Sequence, residues 1–228
     1  AAAYATLAYQ TAYLKCHYPA EFLACQITSV LDWTDKVVEY IAECRRLGIE
    51  VVPPHVNTSE ARFAISDGKV LFGLLAVKGL GRNFIADIVS ERERSGPYTS
   101  FYSFLKRIHG RNFNRKAVES LIKCGALDGL DLNRRQMITV LPEMLAGLDS
   151  DRRKNVEGQI GFFEVMEPEA VQEEGVTVPE LAEFDHLDLL AFEKETTGLY
   201  LSGHPMQRYA SLSDDLGCVK LYELLAAT

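Results

Sequence analysis

Val77-Lys78-Gly79-Leu80-Gly81-Arg82 lies between two stretches with apolar residues at helical spacing, and its reading decides the fold. Glycine takes positive φ without a Cβ penalty, so two glycines flanking one leucine let the chain reverse tightly while backbone N–H groups approach a ligand. Leu80 is expected to tuck between the flanking helices, with the second helix starting at Arg82 or Asn83. A helix beginning there directs its free amides and the positive end of its dipole outward, and a phosphate is the natural guest. The stretch therefore predicts a helix-hairpin-helix corner, a backbone device for gripping nucleic acid. By itself the pattern fits a Schellman-type helix end equally well, since glycine just past a helix is common.

Charge placement favours the phosphate reading. The formal net charge of −8 argues, as a total, against a dedicated nucleic-acid protein. Residues 78–135 run against that total, with twelve Lys/Arg against six Asp/Glu, whereas residues 149–223 hold seventeen acids against six bases. Even with the mixed run Glu91-Arg92-Glu93-Arg94 set aside as a solvated helix face, the remaining cations bracket the glycine corner. Such a local patch suits sequence-independent phosphate contact, which weakens steeply with salt.

Working outward, the chain reads as mainly helical. Residues 1–17 form an alanine-rich helix that starts without a cap, so the chain is expected to be a piece of a longer one, and Pro19 opens a second helix running to about Leu31. Thr34 or Asp35 caps a third, whose Val37, Val38, Ile41 and Cys44 form one stripe before Gly48. The period then changes: residues 62–65 pair across Ser66-Asp67-Gly68 with residues 69–72 as a β-hairpin. Helix resumes over 73–77, passes the corner and continues over 83–94 until Ser95-Gly96-Pro97 ends it. Thr99 or Ser100 caps 101–108, Asn114 caps 115–123, and Asn133 with Gln136 forms a capping box for a helix through Leu141.

Between the last two of these helices, Cys124-Gly125-Ala126-Leu127-Asp128-Gly129-Leu130 resembles a degenerate copy of the first corner, again followed by arginines; an ordinary αα-corner is as good a reading. From Leu148 the chain turns polar and acidic, with little periodicity until 188–197, and reads as a linker draped over a surface. Inside it, Gln159-Ile160-Gly161-Phe162-Phe163 places apolar anchors in a polar segment, the makeup of a short peptide that docks in another protein's groove. At 228 residues and 47% hydrophobic content, the chain can bury a core and is expected to divide into two lobes. Five cysteines without a C-x-x-C pair fit buried thiols in a reducing compartment rather than a metal site, and no apolar run is long enough to span a membrane.

These blocks together resemble a central segment of the alpha subunits of bacterial DNA polymerase III, the C-family replicative polymerases. The likeness is carried by residues 4–15 and 17–22, by 35–38 with 41–45, by Pro53-Pro54 and Val56-Asn57, by 73–81, by Leu121-Ile122-Lys123-Cys124-Gly125-Ala126, and by 193–196 with 198–205. It implies a mainly α fold with a small β-hairpin: a tandem helix-hairpin-helix unit flanked by fingers-domain helices and an extended acidic segment. By this resemblance residues 1–47 are the last helices of the fingers, 48–72 a β-hairpin connector, 73–147 the tandem DNA-binding domain, 148–167 a clamp-binding linker, and 168–228 an acidic segment leading toward an OB-fold.

The same resemblance assigns Lys78, Gly79, Leu80, Gly81, Arg82 and Asn83 to phosphates of one duplex strand, held without reading sequence, and Arg115, Lys116, Lys123, Gly125, Arg134 and Arg135 to the other. Gln159, Ile160, Phe162 and Phe163 fall where the family keeps its motif for the sliding clamp (the beta subunit), with Ile160 and Phe162 standing where leucines are usual. The parent polymerase implies magnesium held by palm carboxylates, none of which this segment contains, so no catalytic, metal or cofactor residue is expected here. Double-stranded DNA, the clamp and, through other regions, further replicase subunits are the implied partners, in a bacterial cytoplasm and away from membranes. Two alternatives stay open: a protein-interaction scaffold whose corners only pack, and a segment of an error-prone C-family paralogue.

Overall fold

The computed structural model describes residues 2–110, 112–156, 177–209, 212 and 216–217. Among the described residues there are eight α-helices and a small sheet, which packs on α2 and α3. Helix α1 (Ala2–His17) buries none of its residues among those described, and Tyr4, Leu7 and Tyr9 are exposed. Pro19 sits in the first turn of α2 (Pro19–Ser29), where a missing N–H costs nothing, and α2 packs Leu23, Ala24 and Ile27 against Val37, Ile41 and Cys44 of α3 (Thr34–Arg46). Thr34 is the first helical residue of α3 rather than its cap, because Trp33 takes the cap position with no side-chain bond. A Schellman end closes α3: Ile49 N–H donates to Cys44 O at 2.9 Å and Gly48 N–H to Arg45 O at 3.1 Å.

The expected hairpin is present, as β2 (Ala64–Ser66) and β3 (Lys69–Leu71), joined by a two-residue turn. Asp67 (φ 51°) and Gly68 (φ 74°) both lie in the left-handed region, as a type I′ turn demands. The sheet gains a third strand that the hairpin reading omitted: β1 (Val51–Val52) pairs parallel with β3, which becomes central. Helix does not resume at once. Residues 74–76 form a single 3-10 turn, so the first corner follows one short turn and not a full leading helix.

Then come α4 (Arg82–Ser95), α5 (Phe101–Ile108) and α6 (Arg115–Lys123), with Ser100 and Asn114 capping the last two as expected. The capping box of α7 (Arg134–Val156) is reciprocal: Gln136 N–H donates to Asn133 Oδ1 at 2.9 Å and Asn133 N–H to Gln136 Oε1 at 3.1 Å. This helix does not stop at Leu141 but runs on through Pro142. Its buried stripe of Met137, Val140, Leu141, Met144, Leu145 and Leu148 keeps helical spacing across an exposed proline, so tertiary burial outweighs the one lost backbone bond. Finally α8 (His186–Thr197), capped by Asp185 and ended by Gly198 at φ 79°, lies against α6. One contiguous core joins Phe72, Leu74 and Val77 to Phe84, Ile88, Phe104, Leu121 and Met137.

Candidate nucleic-acid interface

The first corner is built as a backbone cradle. Val77 and Phe84, both almost fully buried, anchor its two ends, and half-buried Leu80 packs down onto the core between them. Gly79 sits at φ 85°, where a Cβ would be strained and would stand 3.2 Å from Ser120 Oγ on α6. Gly81 caps α4 at φ −81°, ψ 146°, with no side-chain bond to the helix. As a result the N–H groups of Gly79, Gly81, Arg82 and Asn83, all on exposed residues, find no acceptor among the described residues. The N–H of Lys78 is different: it donates to Thr196 O at 2.8 Å, which ties the start of the corner to the end of α8. Neither Lys78 nor Arg82 enters an ion pair among the described residues, although most neighbouring cations do.

A shallow open depression continues from the corner, lined by Gly81, Arg82, Asn83 and Phe84 on one side and by Asn112 and Asn114 on the other. Phe113, edge-on to Phe84 with centroids 6.3 Å apart, seats the α5–α6 loop against α4 and so fixes this juxtaposition. Asn114 Oδ1 accepts the Lys116 N–H at 3.0 Å, and Asn112 Nδ2 donates to Asp87 Oδ2 at 2.8 Å. Two helix N-termini therefore share one hollow. The amide side chain of Asn112 escaped the sequence reading, and Asn114 was read only as a cap; the signal was the polar pair around Phe113 in a loop between two helices. Arg115 pairs with Glu119 at 2.9 Å on the same helix, while Lys116 is exposed.

The second corner is of another kind. Ala126 N–H donates to Leu121 O at 2.9 Å and Gly125 N–H to Ile122 O at 3.1 Å, a Schellman end whose amides are used internally. Gly125 is buried at φ 79°, and a Cβ there would come within 2.3 Å of Arg134 Nη2. Arg134, expected at a DNA surface, is 6% exposed. Its guanidinium grips Asp128 (Nη2 to Oδ2, 2.6 Å; Nε to Oδ1, 2.9 Å), donates to Lys123 O at 3.1 Å and lies 3.5 Å from Glu193 Oε1. Burial acts to release its proton, but Asp128 and Glu193 outweigh that and hold its pKa above the ordinary arginine value. Glu193, itself 1% exposed, accepts the N–H groups of Leu201 and Ser202 at 2.8 and 3.0 Å. Burial likewise pushes the Cys124 thiol up to about 12, so it is an inert packing group.

Lys123 is also engaged, with Nζ 2.9 Å from both Glu195 oxygens. The structure thus places Lys123, Gly125 and Arg134 inside a network closed by acids from the C-terminal region, and leaves Arg135 exposed, its Cζ 5.8 Å above the Phe184 ring. Neither composition nor spacing signals that closure, because Glu193 is 59 residues from Arg134 in the chain. Gln159, Ile160, Phe162 and Phe163 lie outside the described residues. Among those described, no three His, Cys, Asp or Glu side chains gather where they could hold a metal ion, and no helix is long and apolar enough to cross a membrane.

Comparison with known proteins adds two findings. Residues 48–137 match the family described as helix-hairpin-helix motif. Along nearly its whole length the chain is similar to proteins named DNA polymerase III subunit alpha: 42% identical over 96% of the chain in Thermus aquaticus, 38% over 95% in Deinococcus radiodurans, and 36% over 100% in Borreliella burgdorferi. It spans 17%, 16% and 20% of those relatives' own lengths.

Proposed function

We propose, for a chain that belongs as one segment to the family of bacterial DNA polymerase III alpha subunits, that it grips duplex DNA and docks on a sliding clamp in support of processive chromosome replication. The observation that carries this reading is the N-terminus of α4 and the corner before it: four exposed amides that find no acceptor among the described residues, flanked by Lys78 and Arg82, which enter no ion pair among them, within the stretch that matches the helix-hairpin-helix family. A phosphate resting there accepts backbone hydrogen bonds while two cations neutralise it, and because backbone amides and charge carry no base information, the grip is independent of sequence. Lys116 and Arg135 extend the positive surface, while Arg115 is held by Glu119; Lys123, Gly125 and the Arg134 side chain serve the fold and leave the initial contact to the first corner.

Within this reading the segment performs no chemistry of its own. Nucleotidyl transfer and its magnesium belong to the palm of the longer polymerase, and the setting is the bacterial cytoplasm. Gln159 with Ile160, Phe162 and Phe163 docks on the clamp, and tethering through two modest contacts lengthens residence on DNA by raising effective concentration. A salt series on duplex binding tests the first contact: a log–log slope of about −2 to −4 is expected for a few phosphates at about −0.9 each. No duplex binding at low salt overturns it and returns the chain to a protein scaffold. For the second contact, Gln159→Ala with Phe163→Ala removes clamp binding; a variant that still binds the ring overturns the assignment.

A further inference from the structure

Both corners lead into a helix that begins with arginine, yet the two helix starts differ in what sits on them. The amides of α4 find no acceptor among the described residues. Those of α7 carry an anion supplied by the chain: Glu183 Oε2 accepts the Arg134 N–H at 2.9 Å and Oε1 the Arg135 N–H at 3.2 Å. A carboxylate spanning two consecutive N–H groups at the head of a 23-residue helix occupies the place, and supplies the charge, that a phosphate oxygen pair would.

The segment that carries Glu183 is held lightly. Residues 178–184 lack regular structure and cross the α7 start through two side-chain bonds, Asn133 Nδ2 to Leu181 O at 2.8 Å and Gln136 Nε2 to Pro179 O at 3.1 Å. Val178 is the apolar anchor packed on the core, and Glu183 itself is exposed. Phe184 lies beneath the Arg135 guanidinium, so the exposed cation at this helix start is capped by a ring and enters no ion pair among the described residues. The other end of the strap is fixed, because Asp185 caps α8 by accepting the Leu187 N–H. Val178 on the core and Phe184, edge-on to Phe192 of α8 with centroids 5.1 Å apart, pin the two ends of this strap. Residues 179–183 between them are fastened by polar bonds and tipped with a carboxylate, so they can lift from α7 while both anchors stay seated.

We propose that residues 179–183 are a displaceable plug on the second corner, in which the Glu183 carboxylate holds the α7 amides until a DNA phosphate takes its place. The first corner then makes the initial contact, and the second adds one phosphate and the Arg135 cation only when duplex DNA competes the strap away. This rests on the DNA-binding reading above.

The test is duplex affinity of the whole chain as a function of salt, for wild type, Glu183→Ala and, as the control for that reading, Arg82→Ala. Removing the plug is expected to raise affinity about three- to tenfold and to steepen the log–log slope by about 0.9, the signature of one added phosphate. Unchanged or weaker binding with an unchanged slope overturns the plug; if neither wild type nor Glu183→Ala binds, the plug falls as well. Arg82→Ala failing to weaken wild-type binding instead defeats the first-corner reading, whatever Glu183→Ala does. Hydrogen exchange on the wild-type chain provides a readout free of any folding defect. Saturating duplex should speed exchange at the Phe184 N–H, which donates to Glu183 Oε1 at 2.8 Å, while the Arg134 and Arg135 amides stay protected; no change at Phe184 under saturation overturns the displacement.

Discussion

Gly81→Asp separates folding from function at the first corner, because it acts on the two in opposite directions. Gly81 holds the N-cap position of α4 at φ −81°, ψ 146°, a conformation open to any residue, and a Cβ there would meet no atom within 4 Å. Aspartate is among the best N-cap residues, and its carboxylate would reach back to the unbonded amides of the first helical turn. Relative to glycine that contributes a few tenths of a kcal/mol, so thermal unfolding should move up by about 1 °C, given about 2–4 °C per kcal/mol in a chain of this size. The same carboxylate would fill the cradle reserved for phosphate. Losing one charge-assisted contact is worth about 1.5–3 kcal/mol, a ten- to hundredfold drop in duplex affinity at low salt, and the salt slope should flatten by about 0.9. Fluorescence anisotropy with a labelled duplex across a salt series reads both quantities, and a melting curve on the same sample verifies the fold. A variant that melts no lower than wild type yet binds duplex with the same affinity and slope would refute the cradle.

Other expectations concern the network beneath. Arg134→Ala should cost about 3 kcal/mol in urea unfolding, the low end for breaking a buried ion pair, since Glu193 keeps the Leu201 and Ser202 amides as donors; the DNA salt slope should not change, and a flatter slope would mean that Arg134 reaches phosphate after all. Gly125→Ala combines a left-handed φ with a Cβ 2.3 Å from Arg134 Nη2 and 2.9 Å from Asp128 Oδ2, so it should lose more than the roughly 1–2 kcal/mol of the backbone alone, and most of the excess should be relieved in the Arg134→Ala background, a non-additivity read by a double-mutant cycle. Acid stability should depend on Glu43. Hydrogen bonds from Arg46 and then Lys15 hold its carboxyl down to about 2 from 4.5, so its contribution is complete above about pH 4.5 and fades as pH falls toward 2. Glu43→Gln should therefore flatten the melting-temperature profile in that window, and an unaltered acid limb would show that the contacts with Lys15 and Arg46 stabilise nothing.

How much of this was written in the sequence follows the range of each interaction. The starts and ends of α5 and α6, the end of α8, the capping box of α7 and the hairpin turn at Asp67-Gly68 depend on residues a few positions apart, and they were legible, whereas the start of α8 lies two residues before the expected 188. The exposed first corner was legible for the same reason: two glycines and a capless helix start are local facts. Three features were not. The parallel partnership of β1 with β3 depends on strands 19 residues apart in register; the run of α7 over Pro142 depends on a stripe whose burial comes from α5 and α6; and the interior position of Arg134 depends on Asp128 and Glu193 arriving from opposite sides. Arg134 and Arg135 look alike as neighbouring letters, yet on a helix they face directions about 100° apart, so one meets the core and the other solvent.

That difference alters what the charge pattern means. Counted along the chain, a basic block precedes an acidic one and suggests a broad positive surface beside a separate negative tail. In space the acids return to the bases: Glu195 lies on Lys123, Glu193 on Arg134, and Glu183 on the amides of Arg134 and Arg135, while Thr196 gives its carbonyl to Lys78. Each such contact cancels a cation or an amide that a linear count would credit to nucleic acid; Glu183, which fastens the second corner, comes from the stretch that read as a surface drape, and Thr196, which fastens the first, comes from the helix after it. A chain of net charge −8 can still offer a phosphate seat, because screening confines the field to about 8 Å at physiological salt. The seat itself is made by Lys78, Arg82 and the α4 amides that have no acceptor among the described residues, so duplex affinity should track substitutions at these few groups more closely than it tracks the net charge.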